Sequence, residues 1–226
     1  NVSSAGTMLS FMEKPNFKMS IGFAQYSAEG NLCGDTIKTI NDSRGHMIFI
    51  ISDGMGKGSR AALDGAMGAG LLSKLLSAGF GFDSSLKVVN SALLVKSHEE
   101  SLATLDCIRV DLFSGKCEFY KAGAPKSYVV KENSLTKCEL TSMPAGILRG
   151  VEFAKRTTLL NTDDEIIMMS DGITDVGDDW LEEFLKLETS FDPNEKAKAI
   201  LRLALENSDE KHRDDMSVIV AKMIEK

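Results

Sequence analysis

Two segments of the chain carry the same three residues, Ser-Asp-Gly, directly after an apolar run of strand length. The first spans Ser52–Gly54 and the second spans Ser170–Gly172. In each, the glycine lets the backbone turn where the strand ends, and the aspartate offers a carboxylate there. One such segment alone is usually a turn whose aspartate binds its own backbone. With two such segments in one chain, a shared functional site and two ordinary turns are about equally well supported.

Two more aspartates are predicted to lie at strand ends. Asp35 follows Gly34 between two predicted strands, and Asp214 comes just before the last strand. With Asp53 and Asp171 they make four carboxylates of the kind that Mg²⁺ or Mn²⁺ prefers. Two such ions, about 3.5–4 Å apart, suit the hydrolysis of a phosphate ester. The pattern therefore predicts a two-metal hydrolytic site.

Composition narrows the classes of function. The chain has 226 residues, of which 43% are hydrophobic and 26% charged, as in an ordinary globular domain. Its net charge of −7 disfavours nucleic-acid binding, which needs a basic face. The strongest apolar run, Met47–Ile51, has strand length and cannot cross a bilayer, so no membrane segment is predicted in this fragment. The four cysteines contain no Cys-x-x-Cys pair, so we expect reduced thiols and no zinc site.

Hydrophobic periodicity predicts the elements that position the aspartates. The predicted strands are 18–24, 36–40, 46–51, 108–112, 117–121, 127–130, 151–159, 165–169 and 217–223. The predicted helices are 7–13, 60–76, 83–95, 178–187 and one that runs from the cap Asp192 to about 206. Alternating strands favour antiparallel sheets. We therefore expect an α/β (α+β) fold, a four-layer α-β-β-α sandwich with two antiparallel sheets flanked by helices.

Two finer expectations concern the chain's arm and one hairpin. Residues 1–17 are interpreted as a linker or regulatory arm, and residues 18–226 as the folded domain. If residues 113–116 form the hairpin loop, Leu112 faces Cys117 and Cys107 faces Ala122. Cys107 and Cys117 are then not opposite each other.

Several short motifs follow one another in a fixed order along residues 18–224. They are Gly34-Asp35, Ser52-Asp53-Gly54-Met55-Gly56-Lys57-Gly58, Ala122-Gly123-Ala124-Pro125, Met143-Pro144-Ala145-Gly146-Ile147, the segment 164–172, and Asp214-Asp215-Met216-Ser217-Val218. This ordered set resembles the metal-dependent protein phosphatases, the PPM or type 2C family. The resemblance is strongest to the bacterial branch whose prototype is the stage II sporulation phosphatase E.

The resemblance implies a role for each residue of the site. Asp53 would bridge two divalent cations, Mn²⁺ or Mg²⁺, and the backbone carbonyl of Gly54 would bind one of them. Asp171 and Asp214 would hold the other cation, and Asp35 would support the first, directly or through water. A hydroxide bridging the metals would attack the phosphorus of phosphoserine or phosphothreonine in line. The implied activity is that of a protein serine/threonine phosphatase.

Two departures from the eukaryotic members concern the leaving-group acid and the phosphate-binding cation. Met55 stands where those members carry a histidine, and no N-terminal arginine equivalent is evident. The bacterial branch shares both absences. Lys57 and Arg60 are candidates for the phosphate-binding cation, although a solvated charge at a helix start is the simpler interpretation of each.

The resemblance also implies a biological setting. The substrate would be a phosphorylated anti-sigma-factor antagonist in a sporulation or stress pathway. The location would be cytoplasmic, with a membrane-attached or sensory region elsewhere in a larger protein, and a homodimer is left open. In this branch the first two helices often act as a switch that moves Gly54. Gly65, Gly68 and Gly70 in the first helix suggest the same hypothesis here, and close helix packing explains them equally well.

Other functions fit the residues less well. A P-loop would need glycine at Ile51, and a dinucleotide-binding loop would need glycine at Ser59. The chain contains no Gly-x-Ser-x-Gly motif for a serine hydrolase. The remaining alternative is a non-catalytic phosphatase-like module for signalling or binding. Such relatives usually lose a metal aspartate, whereas all four matching positions are occupied here, which favours catalysis.

Overall fold

The computed structural model describes residues 2–5, 8–11, 13–28, 30, 32–42, 44–56, 58–96, 101–132, 134–177, 179–187, 192–210 and 213–226. The strands are β1 (Val2–Ala5), β2 (Met8–Phe11), β3 (Phe17–Tyr26), β4 (Asp35–Asn41), β5 (His46–Asp53), β6 (Leu105–Asp111), β7 (Lys116–Ala122), β8 (Ser127–Lys131), β9 (Ser134–Cys138), β10 (Ala154–Leu159), β11 (Glu165–Met169) and β12 (Met216–Glu225). The helices are α1 (Gly58–Ser77), α2 (Phe82–Lys96), α3 (Asp171–Thr174), α4 (Asp179–Leu187) and α5 (Pro193–Asn207).

Strands β3 to β12 form two five-stranded sheets. The first has the order β10-β7-β6-β5-β4 and the second the order β3-β12-β11-β8-β9. Every pair of neighbouring strands is antiparallel. The apolar and polar alternation seen in the sequence is the pattern that such sheets produce.

Three apolar clusters fill the spaces between the four layers. The central cluster joins the sheets and includes Phe49 and Ile108 of the first sheet and Ile219 of the second. On the outer face of the first sheet, α1 and α2 contribute Leu72 and Leu86 to another cluster. On the outer face of the second sheet, α4 and α5 contribute buried leucine, isoleucine and alanine side chains to a third. The predicted four-layer α-β-β-α sandwich is confirmed.

Helix α5 begins where its sequence predicts. Asp192 accepts a hydrogen bond from the Asn194 N–H at 2.9 Å, and Pro193 occupies the first turn. Lys196 then reaches back to Glu165 of β11, with 2.6 Å between Nζ and Oε2, and both side chains are buried. A buried ion pair therefore fixes this helix on the second sheet.

Some local predictions were wrong. The proposed helix over 7–13 is not formed, because Met8–Phe11 is a strand that pairs with Val2–Ala5; a helix that short gains too few hydrogen bonds to be stable alone. The proposed strand 151–159 begins only at Ala154, because Val151 and Phe153 instead bury their side chains in the cluster under α1 and α2. The sequence also did not reveal β9 or the single turn of α3.

The hairpin of β6 and β7 differs from its predicted register by two residues. Cys107 faces Tyr120 and Cys117 faces Val110, instead of Ala122 and Leu112. The turn comes earlier because the Asp111 carboxylate accepts the Phe113 N–H at 2.9 Å. The expectation that the two cysteines are not opposite holds, and all four cysteines are free thiols.

Within the part of the chain that the structure describes, no helix is long and apolar enough to cross a bilayer.

Candidate metal centre

The strand ends that carry the predicted aspartates meet at one end of the sandwich. Asp35 begins β4 and Asp53 ends β5, and the two are paired directly across the strands. Asp171 begins α3 immediately after β11. The start of β12 lies beside it, because the Ser170 N–H donates to the Ser217 carbonyl at 2.9 Å. Asp214 comes just before this strand, so the structure brings all four aspartates to the same edge.

Electrostatics show how close these carboxylates are. Burial, and then the charges of Asp171, Asp35 and Asp214, raise the pKa of Asp53 to about 9. Burial, and then the charges of Asp175 and Asp214, raise the pKa of Asp171 as well. A hydrogen bond between Asp53 and Asp171 raises the pKa of the first and lowers that of the second. Burial and the neighbouring carboxylates therefore disfavour the charged form of Asp53.

Asp35 is the most buried member of the set. It is 4% exposed, and neither carboxylate oxygen has a hydrogen-bond partner among the described residues. Burial raises its pKa to about 6. The nearby hydroxyls of Ser170 and Ser217 lower that pKa, although neither hydroxyl has the geometry of a full hydrogen bond. A buried carboxylate without a partner is costly, and a bound cation is one group that would compensate it.

Gly54 is enclosed between α1 and the loops beside it. Its N–H donates to the Gly34 carbonyl at 3.2 Å, and it forms an isolated bridge with Ala103. A Cβ atom at Gly54 would lie 1.9 Å from the Ala61 carbonyl oxygen. Only glycine fits there, so the start of α1 determines where the Gly54 backbone lies.

The remaining predicted residues lie at the margin. Asp214 is exposed and its Oδ1 accepts the Asp215 N–H at 2.9 Å. Arg60 lies in the first turn of α1 and is exposed, and its role as a phosphate-binding cation stays a prediction. Lys57 lies outside the described residues.

The oxygen donors at this edge are suitable for divalent cations, but the side chains described there do not surround a common metal position. Carboxylate oxygens are the preferred ligands of Mg²⁺ and Mn²⁺, and the orphaned oxygens of Asp35 fit a cation. Yet no three His, Cys, Asp or Glu side chains within the described ranges surround a common position for a metal. Burial and like charges this close favour the protonated form, so the pKa values of Asp53 and Asp171 are raised.

Three residues near the site are not predicted from the sequence. Asp175 lies one helical turn beyond Asp171, and that spacing is the signal that could have identified it. Gln25 of β3 donates through Nε2 to the Asp35 carbonyl at 3.1 Å and to Ser217 Oγ at 2.9 Å. Asp215 accepts backbone N–H groups from the loop between β3 and β4. These contacts depend on loop conformation, which residue spacing does not specify.

Comparison with known proteins places this arrangement in a family. A family model described as Stage II sporulation protein E (SpoIIE) matches residues 43–224. Stage II sporulation protein E of Bacillus subtilis (strain 168) is 28% identical over 222 residues, which covers 95% of this chain and 27% of that protein. The chain thus spans about a quarter of the length of this curated relative.

Solved structures share the sandwich. The PP2C phosphatase domain with a fragment of the regulatory domain of SpoIIE from Bacillus subtilis gives a TM-score of 0.85 at 27% identity, over 94% of this chain and 64% of that one. The catalytic domain of the serine threonine protein phosphatase PstP, in complex with 2 manganese ions, gives 0.74 at 18% identity, over 92% of this chain and 100% of that one. The second likeness speaks to the fold alone. The fold is that of the PP2C phosphatase domains.

Proposed function

The chain belongs to the stage II sporulation protein E family, and we propose that it hydrolyses phosphoserine or phosphothreonine in a regulatory protein. One observation carries the proposal. Four aspartates from separate strand ends converge at one edge, where burial and neighbouring charges raise the pKa values of Asp53 and Asp171 and the buried oxygens of Asp35 have no partner among the described residues. Such a site is built to hold cations.

The family resemblance supports an assignment of the residues that would hold two divalent cations, Mn²⁺ or Mg²⁺. Asp53 would contact both ions, with the Gly54 carbonyl on one. Asp171 and Asp214 would hold the second, and Asp35 would support the first. When bound, such ions lower the pKa of water, which provides a nucleophile for in-line attack, and they neutralise the phosphate.

The protein's own residues set the conditions for this chemistry. The uncompensated carboxylates repel a phosphate, so substrate binding depends on cations occupying the edge. Burial and neighbouring charges raise the pKa of Asp53 to about 9, so protons compete with cations there and metal affinity should increase with pH. Beside the site, a cavity of about 330 Å³ is lined in part by Asp175, Arg213 and Asp214. Because Asp214 on its wall is exposed, this edge is accessible from solvent.

Family membership suggests the substrate. We propose a phosphorylated anti-sigma-factor antagonist, which would place the domain in the cytoplasm as part of a larger protein. A homodimer is compatible with this proposal. In the alternative function, the domain is a non-catalytic signalling or binding module, which would bind cations but would not hydrolyse a phosphate ester.

Hydrolysis of p-nitrophenyl phosphate with Mn²⁺ tests the proposal. EDTA should abolish the activity, and Asp171→Asn should lower it about a hundredfold or more, because metal stabilisation of the transition state contributes several kcal/mol. Asp163→Asn is the matched control: Asp163 is an exposed aspartate beside Lys222 at the opposite end of the sandwich, with a φ of 70° that asparagine tolerates. Activity that survives EDTA or Asp171→Asn would rule out the two-metal mechanism.

The binding-module alternative has its own signature. It is favoured if Mn²⁺ raises the melting temperature while neither p-nitrophenyl phosphate nor any phosphoprotein is turned over.

A further inference from the structure

We propose that Asp215 is a positioning residue, which fixes the connection between β3 and β4 and thereby places Asp35 and Gly54. This inference rests on the proposed function, because Asp35 and Gly54 belong to the metal site proposed above. The role of Asp215 itself is inferred from its hydrogen bonds.

The Asp215 carboxylate spans the β3–β4 connection from one end to the other. Its Oδ1 accepts the Ala28 N–H at 2.7 Å, just after β3. Its Oδ2 accepts the Gly34 N–H, just before β4. A carboxylate that accepts two backbone N–H groups forms charge-assisted hydrogen bonds, which are stronger than neutral ones. One half-buried side chain just before β12 of the second sheet therefore closes a loop that leads into the first sheet.

Gly34 connects Asp215 to two predicted metal ligands, Asp35 and Gly54. It directly precedes Asp35, and its carbonyl accepts the Gly54 N–H at 3.2 Å. A Cβ atom at Gly34 would lie 3.1 Å from Asp215 Oδ2 and 3.6 Å from Asp53 Oδ1. The residue that Asp215 holds is thus packed among the site's carboxylates, and a shift there moves both Asp35 and Gly54.

A second contact across the sheets acts on the same strand. Gln25 Nε2 donates both to the Asp35 carbonyl and to Ser217 Oγ. Ser217 lies two residues after Asp215 in the chain. The start of β12 therefore holds the start of β4 through two side chains, and Asp215 supplies the charged one.

Asp215 and Asp214 have different roles although they are adjacent. Both carboxylate oxygens of Asp215 are already engaged by backbone N–H groups. Asp214 is exposed, and its described hydrogen bond is to the Asp215 N–H. The geometry leaves Asp214 available to a cation and commits Asp215 to the loop.

Mn²⁺ binding by calorimetry and amide hydrogen exchange of the metal-free protein test this role in Asp215→Asn. Asparagine keeps one acceptor and loses the other. We expect Mn²⁺ affinity to fall about 10–100-fold, the usual cost of losing a residue that orients metal ligands, with unchanged stoichiometry. Exchange should accelerate in peptides that contain Ala28, Gly34 and Gly54. Asp215→Glu, which keeps both oxygens, should recover part of the affinity.

Asp42→Asn is the matched control. Asp42 accepts the Arg44 and His46 N–H groups at 2.9 and 2.8 Å in the β4–β5 turn, at the other end of β4. Its loss should lower the melting temperature and leave Mn²⁺ affinity unchanged.

Two results would overturn the inference. One is a folded Asp215→Asn variant with wild-type exchange in the β3–β4 connection. The other is loss of a full equivalent of Mn²⁺, as expected for Asp214→Asn, because that would make Asp215 a ligand. Neither readout uses a phosphorylated substrate. A failure of the phosphatase proposal would therefore leave the exchange result to decide the role of Asp215.

Discussion

Single carboxylates in this molecule owe their chemistry to their neighbours. Asp53 and Asp171 occupy the same motif, yet their mutual hydrogen bond raises the pKa of Asp53 and lowers that of Asp171. Asp171 also begins α3 and receives a hydrogen bond from the Gly172 N–H. Asp214 and Asp215 are adjacent and identical in type, yet one faces solvent and the other binds a loop. Residue type therefore identifies a candidate site residue, whereas the surrounding contacts determine its role.

The raised pKa values predict a pH dependence of stability without added metal. The pKa of Asp53 is about 9 in the folded protein against an ordinary value of 3.8, and that of Asp35 is about 6. The folded state then binds more protons than the unfolded state above about pH 4, so the free energy of unfolding should fall as pH rises towards 9.

Calorimetry in EDTA between pH 5 and pH 9 measures this slope. Asp53→Asn should flatten it, because the substituted side chain does not titrate. A melting temperature that rises with pH in this range, and rises equally in the variant, would contradict the assignment.

At the scale of elements, the glycines of α1 serve different purposes. A Cβ atom at Gly65 would lie 2.2 Å from the Gly34 carbonyl oxygen, and one at Gly68 would lie 2.9 Å from Ser52 Oγ. At Gly70, nothing lies within 4 Å. Close packing therefore explains Gly65 and Gly68. The hypothesis that α1 and α2 form a switch stays a prediction.

Alanine substitutions separate these purposes. Gly70→Ala should stabilise the protein by about 1 kcal/mol, the difference in helix propensity. Gly65→Ala should destabilise it and weaken Mn²⁺ binding, because the added methyl meets backbone atoms beside Gly54. Urea unfolding and calorimetric Mn²⁺ titration measure the two effects. Equal stability and equal affinity in both variants would show that α1 does not pack against the site as described.

For the whole molecule, a buried ionic cluster ties the two sheets together. Lys121 of the first sheet is fully buried and donates to Asp106 Oδ2 at 2.6 Å and to Ser127 Oγ, in the second sheet, at 2.8 Å. Asp106 Oδ1 has no partner among the described residues. Lys121 is therefore the cation that compensates the buried Asp106 carboxylate, which also accepts a hydrogen bond from Ser127 Oγ at 2.9 Å.

Removing that cation should destabilise the whole sandwich. Lys121→Met leaves a buried carboxylate unpaired, which typically costs about 3–5 kcal/mol. The double variant Lys121→Met with Asp106→Leu should recover much of the loss, because it removes both charges. Urea unfolding monitored by tryptophan fluorescence measures this. A single variant as stable as the wild type would show that the pair does not hold the sheets.

The sequence predicted the sandwich because its signals are repetitive, whereas the details depend on single contacts. Apolar alternation along many strands and the helix cap at Asp192 predicted the architecture correctly, although some single elements were predicted wrongly. The register of the β6–β7 hairpin was wrong because one side chain, Asp111, closes the turn early. Strand β9 was missed because Ser134–Cys138 has little apolar alternation. The four aspartates were recognisable from motif order, but Gln25 and Asp215 act through a loop whose path no local pattern encodes.

The proposed phosphatase activity requires cations gathered around Asp53. Phosphate release from a phosphoserine protein, followed as Mn²⁺ is titrated, measures this requirement. The wild type should turn over only with Mn²⁺, Asp163→Asn should behave like it, and Asp53→Asn should stay inactive at every Mn²⁺ concentration. Turnover by Asp53→Asn at the wild-type rate, or by the wild type in EDTA, would contradict a metal-dependent mechanism.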